Sequence, residues 1–460
     1  MKLHIYEALV SYKKKRAARF HMPGHKANRR LFSPFRDAAL DVTELSFSDS
    51  LESPAGVIAD AQEDIAAILG AKRSYILTDG ATAGIFAMLY AVRRRGGKVA
   101  VARSSHKSVY NACALLGVEP YILQNNARDG VLLPPGAADV EAALSRDAKI
   151  GAVLLTSPDY YGNTADLAAV RKVCDRFGKP LFVDGAHGAY LKFDPDMSGE
   201  YAGNFASAWV DGSHKTMPTL TQGALLSASD EALVPALEEG LDVFRTTSPS
   251  YPIMASVEYG VKFLAERGAE LIDSVRRELA LAKARLAKRG ISCYGGSKTL
   301  VFAVDFGALG ISPSAAYEEL ERRGVFAELC DGRYVLFYLS PLTAPAQIAR
   351  MERAVRAVAR TRSLRGSYEA PHELPLPGAR KFSFLAARGM PYEELPPMQA
   401  VGRVCARNAG VSPPCYPVAV AGEQLTEEGA AALAAAKHTF GMREGKVAVL
   451  NIGGRAGNGR

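Results

Sequence analysis

Short runs of β-branched and aliphatic residues alternate with longer alanine-rich amphipathic stretches through the first two thirds of the chain. SYILT, KVAVA, IGAVLLTS, PLFVDGAH and ASAWVDGSH are such runs. An apolar run, an amphipathic crossover and a second apolar run make the unit of a parallel sheet, so the pattern predicts an α/β fold. One crossover is legible in detail. LAAVRKVCDRFGK places Leu167, Val170, Val173, Cys174 and Phe177 at helical spacing and ends on Gly178, which makes segment 151–191 strand, helix, strand.

From about residue 253 to 290 the period becomes that of one long helix, with Val275, Leu279 and Leu286 apolar. Residues 300–360 read as strand, helix, strand, strand, helix, a small α+β domain. The Pro-rich EAPHELPLPGARKF is a linker by composition, and the final GGRAGNGR a frayed tail or, alternatively, a Gly/Arg arm for nucleic acid.

With 460 residues, 48% of them hydrophobic and 23% charged, the chain is an ordinary globular one with room for about two to four domains. No window holds the ~18 consecutive apolar residues of a membrane span, and no apolar leader follows the N-terminal charges. The expectation is a soluble cytoplasmic protein with no membrane partner. The six cysteines contain no CxxC pair and read as reduced thiols. Lys13 to Arg16 and Arg93 to Arg95 are basic runs, but no aromatic interleaving accompanies them. They read as solvated faces, the second favoured at a helix C-terminus, and no nucleic-acid partner is expected.

Active sites of open parallel sheets lie beyond the carboxyl ends of the strands. Four such places carry chemistry. Asp184 and His187 follow one strand in LFVDGAHGAY; Ser213, His214 and Lys215 follow the next in AWVDGSHKT. LTDGATAG leads from a strand through Gly80, Ala81 and Thr82 into an apolar helix, exposing backbone N–H groups to an anion. His106 follows KVAVA in RSSHKS. Together they supply what pyridoxal 5'-phosphate needs: a lysine, an acid for the pyridine nitrogen, a phosphate cradle and a flat group for the ring. Other chemistries fit less well. There is no GxxxxGK[ST] loop and no GxSxG elbow, and Pro23 and Gly24 break any helix that would pair His21 with His25 on a metal. His106, His187 and His214 as a metal site would leave Lys215 and the GAT turn without a role.

At this point FHMPGHK (Phe20 to Lys26), DVTEL (Asp41 to Leu45), GATAG, SHKS, PDYYG, VDGAHGA, SHKTMPTLTQ and SPSYPIMAS resemble the Orn/Lys/Arg decarboxylase family. GR at 402–403, PP at 413–414 and the AGE ending at Glu423 resemble its C-terminal region. The resemblance is to the short form, without an N-terminal response-regulator-like domain. It implies fold-type-I architecture: an N-terminal arm (1–45), a large domain (46–290) around a mostly parallel seven-stranded sheet, a small α+β domain (291–365) and a C-terminal domain (366–460). It also implies that Lys215 forms the Schiff base, that Asp184 partners the pyridine nitrogen, that His106 stacks on the ring, and that His187 sits near the ring oxygen. Gly80, Ala81, Thr82, Ser213 and His214 would hold the phosphate. The implied reaction is decarboxylation of arginine, lysine or ornithine, feeding polyamine or diamine synthesis, by a homodimer or larger homo-oligomer.

Departures cluster on the substrate side. Ser50, Leu51 and Glu52 replace a DLH-like segment, Gly185 interrupts DEAH, Arg407 stands where an acid is expected, and Cys415 replaces a glycine. Glu52 and Glu423 are the carboxylates available for a distal cation, and Arg407 is a charge reversal that bears on specificity. The departures leave open a PLP enzyme for another amino acid, by decarboxylation, transamination or elimination. A catalytically lapsed binding subunit is the remaining alternative.

Overall fold

The computed structural model describes the chain apart from residues 36, 296–297, 365, 367, 369–375, 412–416, 437 and 452–460. Its centre is a seven-stranded sheet: β1 (Arg73–Leu77), β2 (Lys98–Ala102), β3 (Glu119–Leu123), β4 (Ile150–Thr156), β5 (Leu181–Asp184), β6 (Ala208–Asp211) and β7 (Ala224–Ala228). The spatial order is β1-β7-β6-β5-β4-β2-β3. Strands β6, β5, β4, β2 and β3 pair in parallel, whereas β7 is antiparallel to both neighbours. The expected mostly parallel α/β sheet is present.

The central strands are buried on both faces, which is why they read as continuous apolar runs. Leu77, Val99, Val101 and Phe182 face one core with Met88, Leu89 and Leu237 from helices Gly80–Arg93 and Val234–Phe244. Ile76, Ala100, Val153 and Val183 face the other, with Val170 and Cys174 of helix Leu167–Arg176. That helix is capped by Asp166, which accepts from the Ala169 amide at 2.9 Å. It stops at Phe177, and Gly178 follows at φ +63°.

The long helix runs Tyr251–Ala287 and leads into a four-stranded antiparallel sheet of Cys293–Tyr294, Val301–Asp305, Tyr334–Tyr338 and Leu329–Cys330. Helices Pro313–Arg322 and Pro345–Arg360 complete the α+β unit read from the sequence. The short Cys293–Tyr294 strand carries no sequence signal of its own, being a two-residue addition to Val301–Asp305.

Further on, strands Tyr392–Leu395, Met442–Arg443 and Lys446–Leu450 form one small sheet, and Ala409–Val411, Pro417–Ala419 and Thr439–Phe440 another. This segment shares a core with the large sheet: Phe384, Ala406, Val420 and Leu450 bury against the same cluster as β1 and β2. Glu119 at the start of β3 also accepts from the amides of Phe384 (2.7 Å) and Leu385 (3.0 Å). At the other end, helix His4–Lys15 is held by Glu258, which accepts from the amides of His4 and Ile5. Lys13, Lys14 and Lys15 fall in its last turn, where the helix dipole favours cations.

Among the described residues no helix is long and apolar enough to cross a membrane. The five described cysteines are free thiols. Residues 369–375 of the Pro-rich segment, the GGRAGNGR tail, Pro413, Pro414 and Cys415 lie outside the described residues.

Candidate active site

Strands β5 and β6 are parallel neighbours, with Asp184 opposite Val210. Asp184 ends β5, and the turn Ser213–Thr216 that carries Lys215 follows β6. Two glycines let the loops after these strands touch. A Cβ at Gly212 would stand 2.4 Å from the Ala186 carbonyl, and one at Gly185 would stand 2.9 Å from that of Val210. Real side chains do not tolerate such approaches, so Gly185 is the residue this backbone requires.

Lys215 Nζ lies 2.9 Å from Nε2 of His187. The His187 ring packs 4.4 Å from that of Tyr160 and 5.3 Å from that of Tyr338, and Lys215 Nζ is 5.5 Å from the Tyr160 ring centre. The Tyr338 hydroxyl donates to the Tyr160 carbonyl, which ties the small sheet to the large one at this point. Burial pushes the His187 pKa well below its usual value, and Lys215, His106 and His214 push it the same way. Burial likewise lowers His106 to about 4, helped by Lys215 and Lys107. Both rings are therefore neutral near pH 7. Asp184 is 3% exposed. Burial raises its pKa, while Lys215 and the Ala186 amide oppose that rise.

The GAT turn meets the same loops. The Gly80 amide donates to the Gln222 carbonyl at 2.9 Å, and the His214 amide donates to the adjoining Gly223 carbonyl at 3.0 Å. Asp79, the residue before helix Gly80–Arg93, makes no side-chain cap, so the first-turn amides of Ala81 and Thr82 keep their affinity for an anion. The Ser213 and Thr78 hydroxyls and His187 Nδ1 are buried with no hydrogen-bond partner. Buried polar atoms cost free energy unless a ligand or water satisfies them.

These residues fit pyridoxal phosphate. An amine, a buried acid on the next strand, flat neutral rings and orphaned hydroxyls beside an uncapped helix form one constellation. Residues 4–295 match the family described as Orn/Lys/Arg decarboxylase, major domain. The chain belongs to the Orn/Lys/Arg decarboxylase family. It is thereby a PLP-dependent amino-acid decarboxylase by family.

This decarboxylase is 29% identical over 455 residues to the uncharacterized protein YaaO of Bacillus subtilis (strain 168), covering 93% of each chain. It is 27% identical to an arginine decarboxylase of the same organism, covering 92% of this chain and 91% of that one. Its fold is that of the Francisella novicida lysine decarboxylase LdcF, with TM-score 0.81 at 18% identity, covering 97% of this chain and 80% of that one.

Lys215, Asp184, His187, His106 and His214 of the decarboxylase are thus brought within electrostatic reach of one another. The substrate-side candidates are not gathered with them. Both oxygens of Glu423 are engaged by Arg103, and one also by Arg380, so it offers no free carboxylate to a substrate. Arg407 donates to the carbonyls of Arg388 (3.0 Å) and Ala406 (2.9 Å) and lies over the Tyr392 ring. Glu52 is exposed, near enough to Arg245 to favour its charged form. Among the described residues no group of three His, Cys, Asp or Glu is arranged to hold a metal ion.

Sequence reasoning missed Tyr160, Tyr338 and Gly212 as parts of the site. PDYYG follows β4 and could have flagged Tyr160 by the strand-end rule. Tyr338 comes from the other sheet and had no local signal.

Proposed function

We propose that the protein decarboxylates a basic amino acid, with arginine the first substrate to test and lysine and ornithine next. The observation that carries this reading is the pairing of Lys215 with neutral His187 beside buried Asp184, in a chain of this family. Support for arginine comes from the full-length relative that bears that name.

Pyridoxal phosphate, when bound, supplies an electron sink for the pair left behind as CO2 departs. Asp184 would hold a proton on the pyridine nitrogen, since an ion pair there offsets the cost of burying its charge. Lys215 would bind the cofactor covalently and exchange it for the substrate amine. His187, neutral and 2.9 Å away, can receive a proton from Lys215 at Nε2 and return it. His106 would lie against the ring. Its Nδ1 is occupied by Ser108, which fixes its orientation. Ser213, His214, Gly80, Ala81 and Thr82 would hold the phosphate.

Exposed apolar side chains in the N-terminal arm, Phe20 at 94% and Leu31 at 82%, support a homodimer. The cytoplasm is the compartment we assign to this reaction.

The test is amine formation by PLP-loaded protein offered arginine, lysine and ornithine separately. Agmatine from arginine is the expected result. No amine from any of the three, with the cofactor bound, would overturn the substrate assignment and favour a PLP enzyme for a different amino acid.

A further inference from the structure

The loop that carries His106 begins at Arg103, directly after β2, and Arg103 is 5% exposed. Its guanidinium forms a two-pronged bond with Glu423, Nη1 to Oε1 at 3.0 Å and Nη2 to Oε2 at 2.8 Å, and Nη2 also donates to the Val418 carbonyl at 3.0 Å. Glu423 is 3% exposed and takes two further donors, Arg380 Nη2 at 3.0 Å and the Val420 amide at 3.1 Å. The carboxylate is thereby saturated, and its position is set by its own turn. A Cβ at the preceding Gly422, which has φ +89°, would meet the Phe382 carbonyl at 2.3 Å.

The Arg103 backbone is gripped as well. Its amide donates to the Leu123 carbonyl at 3.2 Å and its carbonyl accepts from the Tyr110 hydroxyl at 3.0 Å. Asn125 bonds to Ser104 Oγ at 2.9 Å. The C-terminal segment, β3 and helix Lys107–Leu116 therefore hold one four-residue loop from three sides, and His106 at its end caps that helix. A bidentate buried pair spanning 320 positions of sequence is the contact among these that fixes direction as well as distance.

We propose that Glu423 is a positioning residue for the cofactor platform: through Arg103 the C-terminal segment sets where His106 lies. The assignment rests on the function proposed above only in naming what His106 contacts. The holding of the loop is a property of the chain itself.

The experiment compares wild-type protein with Glu423→Gln, which keeps the shape and removes the charge, and with Glu423→Asp. Backbone hydrogen exchange at 104–109 is measured in cofactor-free protein, with helix Leu167–Arg176 as the internal reference, and PLP affinity is measured by visible absorbance. Glu423→Gln is expected to speed exchange at 104–109 and to weaken PLP binding, each on the order of 10-fold, with the reference helix unchanged and partial recovery in Glu423→Asp. Unchanged exchange at 104–109, or equal acceleration in the reference helix, would overturn the proposal. If Glu423→Gln does not fold, the double variant Arg103→Gln with Glu423→Gln leaves no unpaired Arg103 charge and carries the same measurement. Wild-type protein that takes up no PLP would defeat the proposed function, while the exchange data would still decide this inference.

Discussion

Lys215 and His187 stand 2.9 Å apart, Nζ to Nε2, although 28 positions of sequence separate them. The contact joins the loops that follow two adjacent parallel strands, and it leaves His187 Nδ1 buried without a partner. Burial, with Lys215 beside it, holds the His187 imidazole neutral.

Replacing Lys215 with Ala tests that relation directly. Turnover should fall by roughly 10³-fold or more, and the visible absorbance of lysine-bound cofactor should vanish. Because Lys215 depresses the His187 pKa, that pKa should rise in the variant, and NMR titration of the imidazole would report it. A variant with full activity would rule out Lys215 as the anchoring amine.

Asp184→Asn separates electronics from folding. The carboxylate is buried and its ionised form is costly, so the amide should leave the thermal midpoint nearly unchanged. Activity should drop on the order of 10²-fold or more if Asp184 is, as proposed, the anion that partners the pyridine nitrogen. Equal loss of stability and activity would assign Asp184 a structural role instead.

Gly212→Ala places a methyl group 2.4 Å from the Ala186 carbonyl. The two loops must separate, at a cost of about 1–3 kcal/mol, and Lys215 moves with them. Circular dichroism should show the helices intact while PLP affinity falls at least about tenfold. Unaltered PLP affinity would mean that the contact between the loops does not position Lys215.

Asp211 should make stability depend on pH. Burial raises its pKa to about 7, against the opposing hydrogen bonds from Tyr201 and Trp209. The unfolded chain releases this proton near pH 4, so between about pH 4 and 7 the folded state holds more protons and stability falls as pH rises. Above that window the loss is complete. Asp211→Asn should flatten the slope, narrowing the difference in unfolding free energy between pH 5 and pH 8 by about 2–4 kcal/mol. Urea unfolding at the two pH values measures it, and an unchanged difference would show that Asp211 is ionised in the fold throughout.

The helix at Leu167–Arg176 was readable because its apolar period and the Gly178 that follows it act within one stretch of chain. The strand-end positions of Asp184, His187 and Lys215 were readable for a related reason, since β5 and β6 are continuous apolar runs whose ends show in the sequence. Gly212 and Gly185 were harder: a glycine after a strand looks like any turn residue until the carbonyl opposite it is located.

Glu423 shows where such reading ends. As a residue it is an acid near the C-terminus, equally suited to a substrate, a helix end or a cation. Its partner Arg103 lies 320 positions away, and neither side chain carries a local mark of the other. The same holds for Tyr338 against His187. By itself the sequence determined the α/β architecture, the order of its elements and the residues able to carry the chemistry, because periodicity and strand ends are local. Which carboxylate is free, which is consumed by a guanidinium, and which aromatic ring closes the site were decided by tertiary packing, because those pairings depend on distances that only the folded chain creates.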